Sequence, residues 1–223
     1  MNKANELTML TGPRFGPTSG NQPRQLIILL HGRGANGDDL IGLAPHLAQA
    51  LPDAAFIAPN APHDCDAGFG YQWFAGGPDA DPATKLGQIR ETAELVNAFI
   101  DDELARHGLT DDRLALVGFS QGAMMSLFVG PRREHPCAGI MGYSGRLESP
   151  DVLGREIKCR PPVTLVHGDA DPVLAANLMY DAAAALTENG FEVSSHLRPG
   201  LGHGIDEEGL RLGVAFLGRV LGD

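Results

Sequence analysis

Gly118-Phe119-Ser120-Gln121-Gly122 follows directly on the apolar run Leu114-Ala115-Leu116-Val117. It precedes Ala123-Met124-Met125-Ser126-Leu127-Phe128, which reads as a buried helix. No other stretch restricts the fold as tightly. A Gly-x-Ser-x-Gly turn between a strand and a helix is sharp and strained, and carries its serine in a sparsely populated backbone conformation. Small residues two positions before and after the serine are needed because a side chain there would meet the adjoining strand and helix. The turn lifts the hydroxyl out of the sheet and aims the backbone N–H of Gln121 at the place where an oxyanion would form. Any Gly-rich turn with a serine matches the pattern; the flanking strand and helix make this one a candidate nucleophile elbow.

Around it, strand-like and helix-like runs alternate, which predicts an α/β chain with a mostly parallel central sheet and helices on both faces. The candidate strands are Gln25–Leu30, Ala54–Ala58, Arg113–Phe119, Ala138–Tyr143, Val163–His167 and Glu192–Leu197. Several are continuously apolar and bounded by Gly, Pro or Asp, as strands covered on both faces should be. Thr84–His107 carries Leu86, Ile89, Ala93, Val96, Phe99, Ile100 and Leu104 at helical spacing, and Ala175–Thr187 and Glu207–Leu221 also read as helices. With 223 residues the chain suffices for one substantial domain and is short for two. No repeat or linker divides it. Residues 1–24 read as an N-terminal extension of the same domain, and 25–223 as its body.

Segment 59–83 breaks the alternation with eight Gly and Pro residues, among which stand Phe69, Tyr71, Trp73 and Phe74. A loop of this length is uncommon unless functional or disordered, and its aromatics argue against disorder. Either they pin the loop to the core, or part of the loop walls a substrate site. On the second reading Trp73 and Phe74, together with Met124 after the elbow, are the expected substrate-binding residues.

A composition of 43% hydrophobic and 20% charged residues is that of an ordinary globular protein. Its formal charge of −11 argues against nucleic acid and against docking on an anionic membrane. The apolar runs are too short to span a bilayer, and residues 1–24 lack the apolar core of a secretory signal, so a cytoplasmic location is expected. Cys65, Cys137 and Cys159 are widely spaced and contain no Cys-x-x-Cys pair, which predicts reduced structural thiols and no zinc site.

A serine hydroxyl needs a base, and the base an orienting acid. After Ser120, Asp169 and Asp171 compete for the acid in His167-Gly168-Asp169-Ala170-Asp171-Pro172-Val173. Asp171 is favoured because it lies further into the loop and is fixed by Pro172; Asp169, just after a glycine, suits a turn. His196 and His203 are the histidines that follow. His196 falls inside a strand, whereas His203 stands on the Gly-rich stretch Gly200-Leu201-Gly202-His203-Gly204 between the last strand and the last helix, and is favoured as base. The bend Leu30-His31-Gly32-Arg33-Gly34-Ala35-Asn36-Gly37 can supply a second oxyanion donor, the N–H of Arg33. It lacks both the Gly-Lys-Ser/Thr of a P-loop and the spacing of a dinucleotide fingerprint.

These segments, with Asp38-Asp39 and Gln72-Trp73-Phe74, resemble the phospholipase/carboxylesterase family, which includes acyl-protein thioesterases and small bacterial carboxylesterases. The matching motifs fall in order along residues 25–221. The resemblance implies an α/β-hydrolase fold without a large lid domain, a Ser120–Asp171–His203 triad, and Arg33 and Gln121 as backbone oxyanion donors. Two departures border the site: Arg33 stands where many members carry Leu or Tyr, and Leu174-Ala175 replaces a Val or Pro common after the acid loop.

The function expected is a serine carboxylesterase working through an acyl-enzyme, with a small-molecule acyl ester or thioester as its partner. Neither metal nor organic cofactor is needed, since acyl transfer requires only triad and oxyanion hole. Within the class, an acyl-protein thioesterase or a lysophospholipase is the alternative; nothing in the sequence marks a protein partner or a membrane-docking face. Homodimerisation is left open. A non-catalytic binder on a hydrolase fold has no chemical need for all three triad residues, and dienelactone-type hydrolysis usually employs Cys at the elbow.

Overall fold

The computed structural model describes residues 10–75 and 81–222. Its strands, in chain order, are β1 (Arg14–Phe15), β2 (Gln25–Leu30), β3 (Ala54–Ile57), β4 (His63–Asp64), β5 (Tyr71–Gln72), β6 (Leu114–Phe119), β7 (Gly139–Tyr143), β8 (Val163–Gly168) and β9 (Val193–Arg198). The helices are α1 (Gly37–Ile41), α2 (Ala44–Leu47), α3 (Pro82–His107), α4 (Gln121–Val129), α5 (Pro150–Glu156), α6 (Asn177–Glu188) and α7 (Glu207–Leu221). Seven strands form one sheet in the order β1-β3-β2-β6-β7-β8-β9, parallel except for the antiparallel edge strand β1. With helices on both faces this is an α/β-hydrolase fold.

The apolar character of β2 explains the layering. All six of its residues are buried, and successive side chains point to opposite faces. Leu26, Ile28 and Leu30 join the core formed with α3, α4 and α6, while Ile27 and Leu29 join the one formed with α1, α2 and α7. Helix α3 starts where the Asp81 carboxylate caps the Thr84 N–H at 2.8 Å and ends on Gly108 at φ 64°, a left-handed position suited to glycine.

The six expected strands and four expected helices are present, with ends displaced by at most two residues. Other elements are additional to that reading. Within residues 1–24, Arg14–Phe15 pairs with β3, and Arg14 meets the buried Glu103 carboxylate of α3 through bonds of 2.6 and 2.5 Å. Segment 59–83 contains the β4–β5 hairpin, bound to the bend after β2 by Gly34 N–H to Tyr71 O and Tyr71 N–H to Ala35 O, each 2.8 Å. Residues 1–9 of the expected extension and 76–80 of the expected loop lie outside the described residues. Cys65, Cys137 and Cys159 are free and buried.

Candidate active site

Sheet register brings the candidate residues together. Leu30 pairs with Gly118 across β2 and β6, so Arg33 and Gln121 each follow a paired strand end by three residues. At the other side, Gly168 pairs with Arg198, and Asp171 and His203 stand on the loops leaving those ends. Every group thus emerges at the carboxyl edge of the parallel sheet, where open α/β folds place their sites.

Ser120 adopts φ 53° and ψ −116°, a strained conformation for a residue with a side chain. Its flanking glycines have no room for a Cβ: at Gly118 it would lie 2.3 Å from Gly122 O, and at Gly122 1.8 Å from Leu30 O. Helix α4 therefore seats its first turn directly on the end of β2. At Gly32 a Cβ would lie 3.0 Å from the Phe119 ring and 3.3 Å from Ser120 Cβ, so the bend after β2 runs alongside the serine.

His203 Nε2 is 2.9 Å from Ser120 Oγ, and its Nδ1 is 2.7 Å from Asp171 Oδ2. In the tautomer these contacts require, Nδ1–H donates to the carboxylate and Nε2 accepts from the hydroxyl. The imidazole also packs on Phe119, ring centroids 5.0 Å apart. Asp171 Oδ1 accepts the N–H groups of Val173 and Leu174 at 2.8 and 3.0 Å. Burial pushes the Asp171 carboxyl upward, but these bonds and the His203 contact outweigh it and hold the group below its ordinary value of 3.8. It is thus an anion at neutral pH. Asp169 is turned elsewhere, its Oδ1 accepting the Gly200 N–H at 2.6 Å to brace the loop after β9. His196 lies within β9, paired with Val166.

The Arg33 and Gln121 N–H groups have no hydrogen-bond acceptor among the described residues. The first points according to its peptide plane. His31 Nδ1–H donates to Gly32 O at 2.8 Å, and Ala35 N–H to the same oxygen at 3.2 Å. In a trans peptide the N–H of Arg33 is directed opposite to that carbonyl. The Arg33 guanidinium instead bonds Asp66 and, at 3.3 Å, Gln72 Oε1. His31 Nε2 accepts the Ala61 N–H at 3.0 Å, so both ring nitrogens serve the backbone. Burial lowers the His31 pKa below 6.5, against smaller opposing effects of the Gly32 carbonyl and Asp39.

The expectation that Trp73 and Phe74 wall an acyl pocket needs correction. They are 0% and 2% exposed and belong to the core beneath the bend. Trp73 Nε1–H donates to His31 O at 2.8 Å, while the Gln121 side-chain amide accepts from Trp73 N–H at 2.8 Å and donates to Phe74 O at 2.7 Å. The loop is held to the core by its polar atoms, so its rings turn inward. Met124 is buried in the same core at 7% exposure. The exposed aromatic of this region is Phe69 on the hairpin tip, beside a cavity of about 460 Å³ shared with Asn36, Cys65 and Tyr71.

The sequence reading did not assign His31, His167 or the Gln121 side chain. Their signal was available: a histidine before a Gly-rich bend, a histidine ending an apolar strand, and a long polar side chain opening an apolar helix. Among the described residues, no group of three or more His, Cys, Asp or Glu side chains could hold a metal ion.

The sequence pattern of the phospholipase/carboxylesterase family matches residues 18–220, and the chain belongs to that family. It is 29% identical to acyl-protein thioesterase 1 of Schizosaccharomyces pombe over 208 residues, covering 88% of this chain and 91% of that one. Esterase YpfH of Escherichia coli is 26% identical over 199 residues, covering 87% and 82%. The crystal structure of esterase PE8 is 39% identical with a TM-score of 0.90, covering 96% of this chain and 100% of that one.

Proposed function

We propose that the protein is a serine carboxylesterase in which Ser120 is the nucleophile, His203 the general base and then acid, and Asp171 the orienting carboxylate. The observation that carries this reading is the chain of contacts Ser120 Oγ–His203 Nε2–Asp171 Oδ2, at 2.9 and 2.7 Å, on a serine held at φ 53°. His203 accepts the Ser120 proton as Oγ attacks the acyl carbon, and Asp171 stabilises the imidazolium that forms. The carbonyl oxygen becomes an anion received by the N–H groups of Arg33 and Gln121, the latter at the positive N-terminal end of α4. His203 returns its proton to the leaving alcohol or thiol. A water, deprotonated by the same nitrogen, then attacks the acyl-enzyme and releases the acid. The triad and the two backbone donors suffice for both half-reactions, and no cofactor enters the scheme.

A thioester substrate is the second reading, favoured by the resemblance to the yeast acyl-protein thioesterase. The attack is the same for both substrates, and the leaving atom differs. Among the described residues no helix is long and apolar enough to cross a membrane, which accords with a cytoplasmic enzyme acting on dissolved substrates. The test is fluorophosphonate labelling with a panel of esters and thioesters of increasing chain length. Wild type should label at Ser120 and turn over the panel, whereas Ser120→Ala should fail to label and lose at least ~10³ in kcat. Near wild-type hydrolysis by Ser120→Ala would overturn the assignment.

A further inference from the structure

Asp171 faces two histidines. Besides His203, the imidazole of His167, the fifth residue of β8, sets its Nε2 2.9 Å from Leu174 O and 3.1 Å from Asp171 Oδ2. The side chains of His167 and Asp171 are both 0% exposed. The Leu174 carbonyl can only accept, so Nε2 must carry the proton. That N–H is given to Leu174 O, and the same nitrogen lies 3.1 Å from the carboxylate oxygen that also receives the His203 proton, without the alignment of a hydrogen bond to it. His167 Nδ1 is buried and has no hydrogen-bond partner among the described residues. A residue present only to fill volume would not leave a polar atom orphaned in the interior, since an aliphatic side chain fills it without that penalty.

We propose that His167 is a positioning residue for the catalytic carboxylate, resting on the reading of Ser120, Asp171 and His203 given above. Its Nε2–H holds Leu174 through its carbonyl, Leu174 in turn holds Asp171 through its N–H, and the imidazole stands 3.1 Å from Oδ2. The Val173 and Leu174 N–H groups hold Oδ1, so anchoring Leu174 keeps the carboxylate oriented with Oδ2 directed at His203. The partial positive charge of an N–H 3.1 Å from Oδ2 also offsets part of its negative charge, which restrains how strongly Asp171 stabilises the His203 imidazolium. The neighbouring charged groups are engaged elsewhere: Asp169 with the Gly200 N–H, and Arg198 with Asp206 at 3.0 Å.

The experiment compares His167→Leu with His167→Gln, whose amide N–H can replace the imidazole donor. In the Leu variant kcat should fall about tenfold with KM within about twofold, in line with the ~10–100-fold cost of losing an outer partner to a functional ligand. The acid limb of its kcat/KM profile should move to higher pH, because a carboxylate without that N–H beside it favours the imidazolium. The Gln variant should recover most of kcat and return the limb toward wild type. A Leu variant with the wild-type kcat and profile, or a Gln variant no better than Leu, would overturn the proposal.

Nitrogen-15 histidine spectra of the wild-type fold and of Ser120→Ala test the contact without relying on activity or on a substituted core. They should show His167 protonated on Nε2 and bare on Nδ1 at neutral pH. A proton on Nδ1 with a bare Nε2 would overturn the proposal even if the Leu variant fails to fold. Failure of the Ser120 assignment would appear separately, as hydrolysis surviving in Ser120→Ala.

Discussion

Replacing Gln121 by Leu separates the two functions of one residue. Its backbone N–H is the proposed oxyanion donor and survives the substitution. Its side-chain amide, which is lost, satisfies two buried backbone groups, Trp73 N–H at 2.8 Å and Phe74 C=O at 2.7 Å. Leu fills a similar volume but pairs with neither. Each group left unpaired in the interior costs about 1–3 kcal/mol, so the loss should be about 2–6 kcal/mol, reduced somewhat by the apolar burial Leu adds. For a chain of this size 1 kcal/mol moves the melting temperature by about 2–4 °C, which places the expected drop at about 5–20 °C. Against a total stability of about 5–15 kcal/mol, all but the largest of these losses leave the variant folded at 20 °C. There kcat should fall by less than the ~10²–10³ that removing an oxyanion donor costs. The assay pairs thermal unfolding by circular dichroism with kcat on a neutral ester at 20 °C. A melting temperature within about 1 °C of wild type would refute the bracing argument. A thousandfold loss of kcat at unchanged melting would show instead that the side chain acts on the reacting atoms.

At Arg33 the expected outcomes divide similarly: Arg33→Ala keeps the N–H and most activity on neutral esters, whereas Arg33→Pro removes it and should cost about 10²–10³ in kcat, roughly 2.7–4 kcal/mol. The proline variant must match wild type in circular dichroism; a folded one with undiminished kcat would eliminate Arg33 as donor. Asp171→Asn should lower kcat by about 10⁴ through loss of the imidazole tautomer, and Asp169→Asn should affect stability more than turnover; the reverse ranking, read from kcat and melting of both, would reassign the acid. For His31, burial depresses the pKa, so its contribution to stability is intact above the unfolded value of about 6.5 and is lost as pH falls from there through the folded-state pKa. His31→Asn should therefore flatten the dependence of unfolding free energy on pH below about 6.5; an unchanged slope in denaturant titrations would disprove the assignment.

The parallel strands other than the half-exposed edge strand β9 were legible because each is a short, mostly apolar run covered on both faces, and α3 because seven apolar residues recur at helical spacing. The elements that escaped are held by distant partners. β1 is two residues long and exists through its pairing with β3 and the Arg14–Glu103 ion pair, 89 positions apart in sequence. The β4–β5 hairpin depends on the bend after β2, whose Gly34 N–H and Ala35 C=O meet Tyr71. Helices α1 and α2 have five and four residues, too few for a period to register. In each case local propensity is weak and tertiary contact decides.

The site divides along a different line. Residues proposed to do chemistry on a substrate stood out, because a serine between glycines, or a histidine on a Gly-rich loop, is hard to explain by packing. Residues that hold the backbone did not, because a buried amide or imidazole bound to main chain resembles any satisfied polar group. Trp73 shows the consequence. Its aromatic, Gly-flanked neighbourhood allowed either a pocket wall or an anchor, and the choice depended on Gln121 and His31, 48 and 42 positions away. Those bonds form because Leu30 and Gly118 are in register and Gly122 lets α4 touch the end of β2. The close approach that presents Ser120 therefore also brings Gln121 within reach of Trp73 and Phe74. A side chain at Gly122 would push α4 away from β2, and so should disturb the serine and the oxyanion bend together.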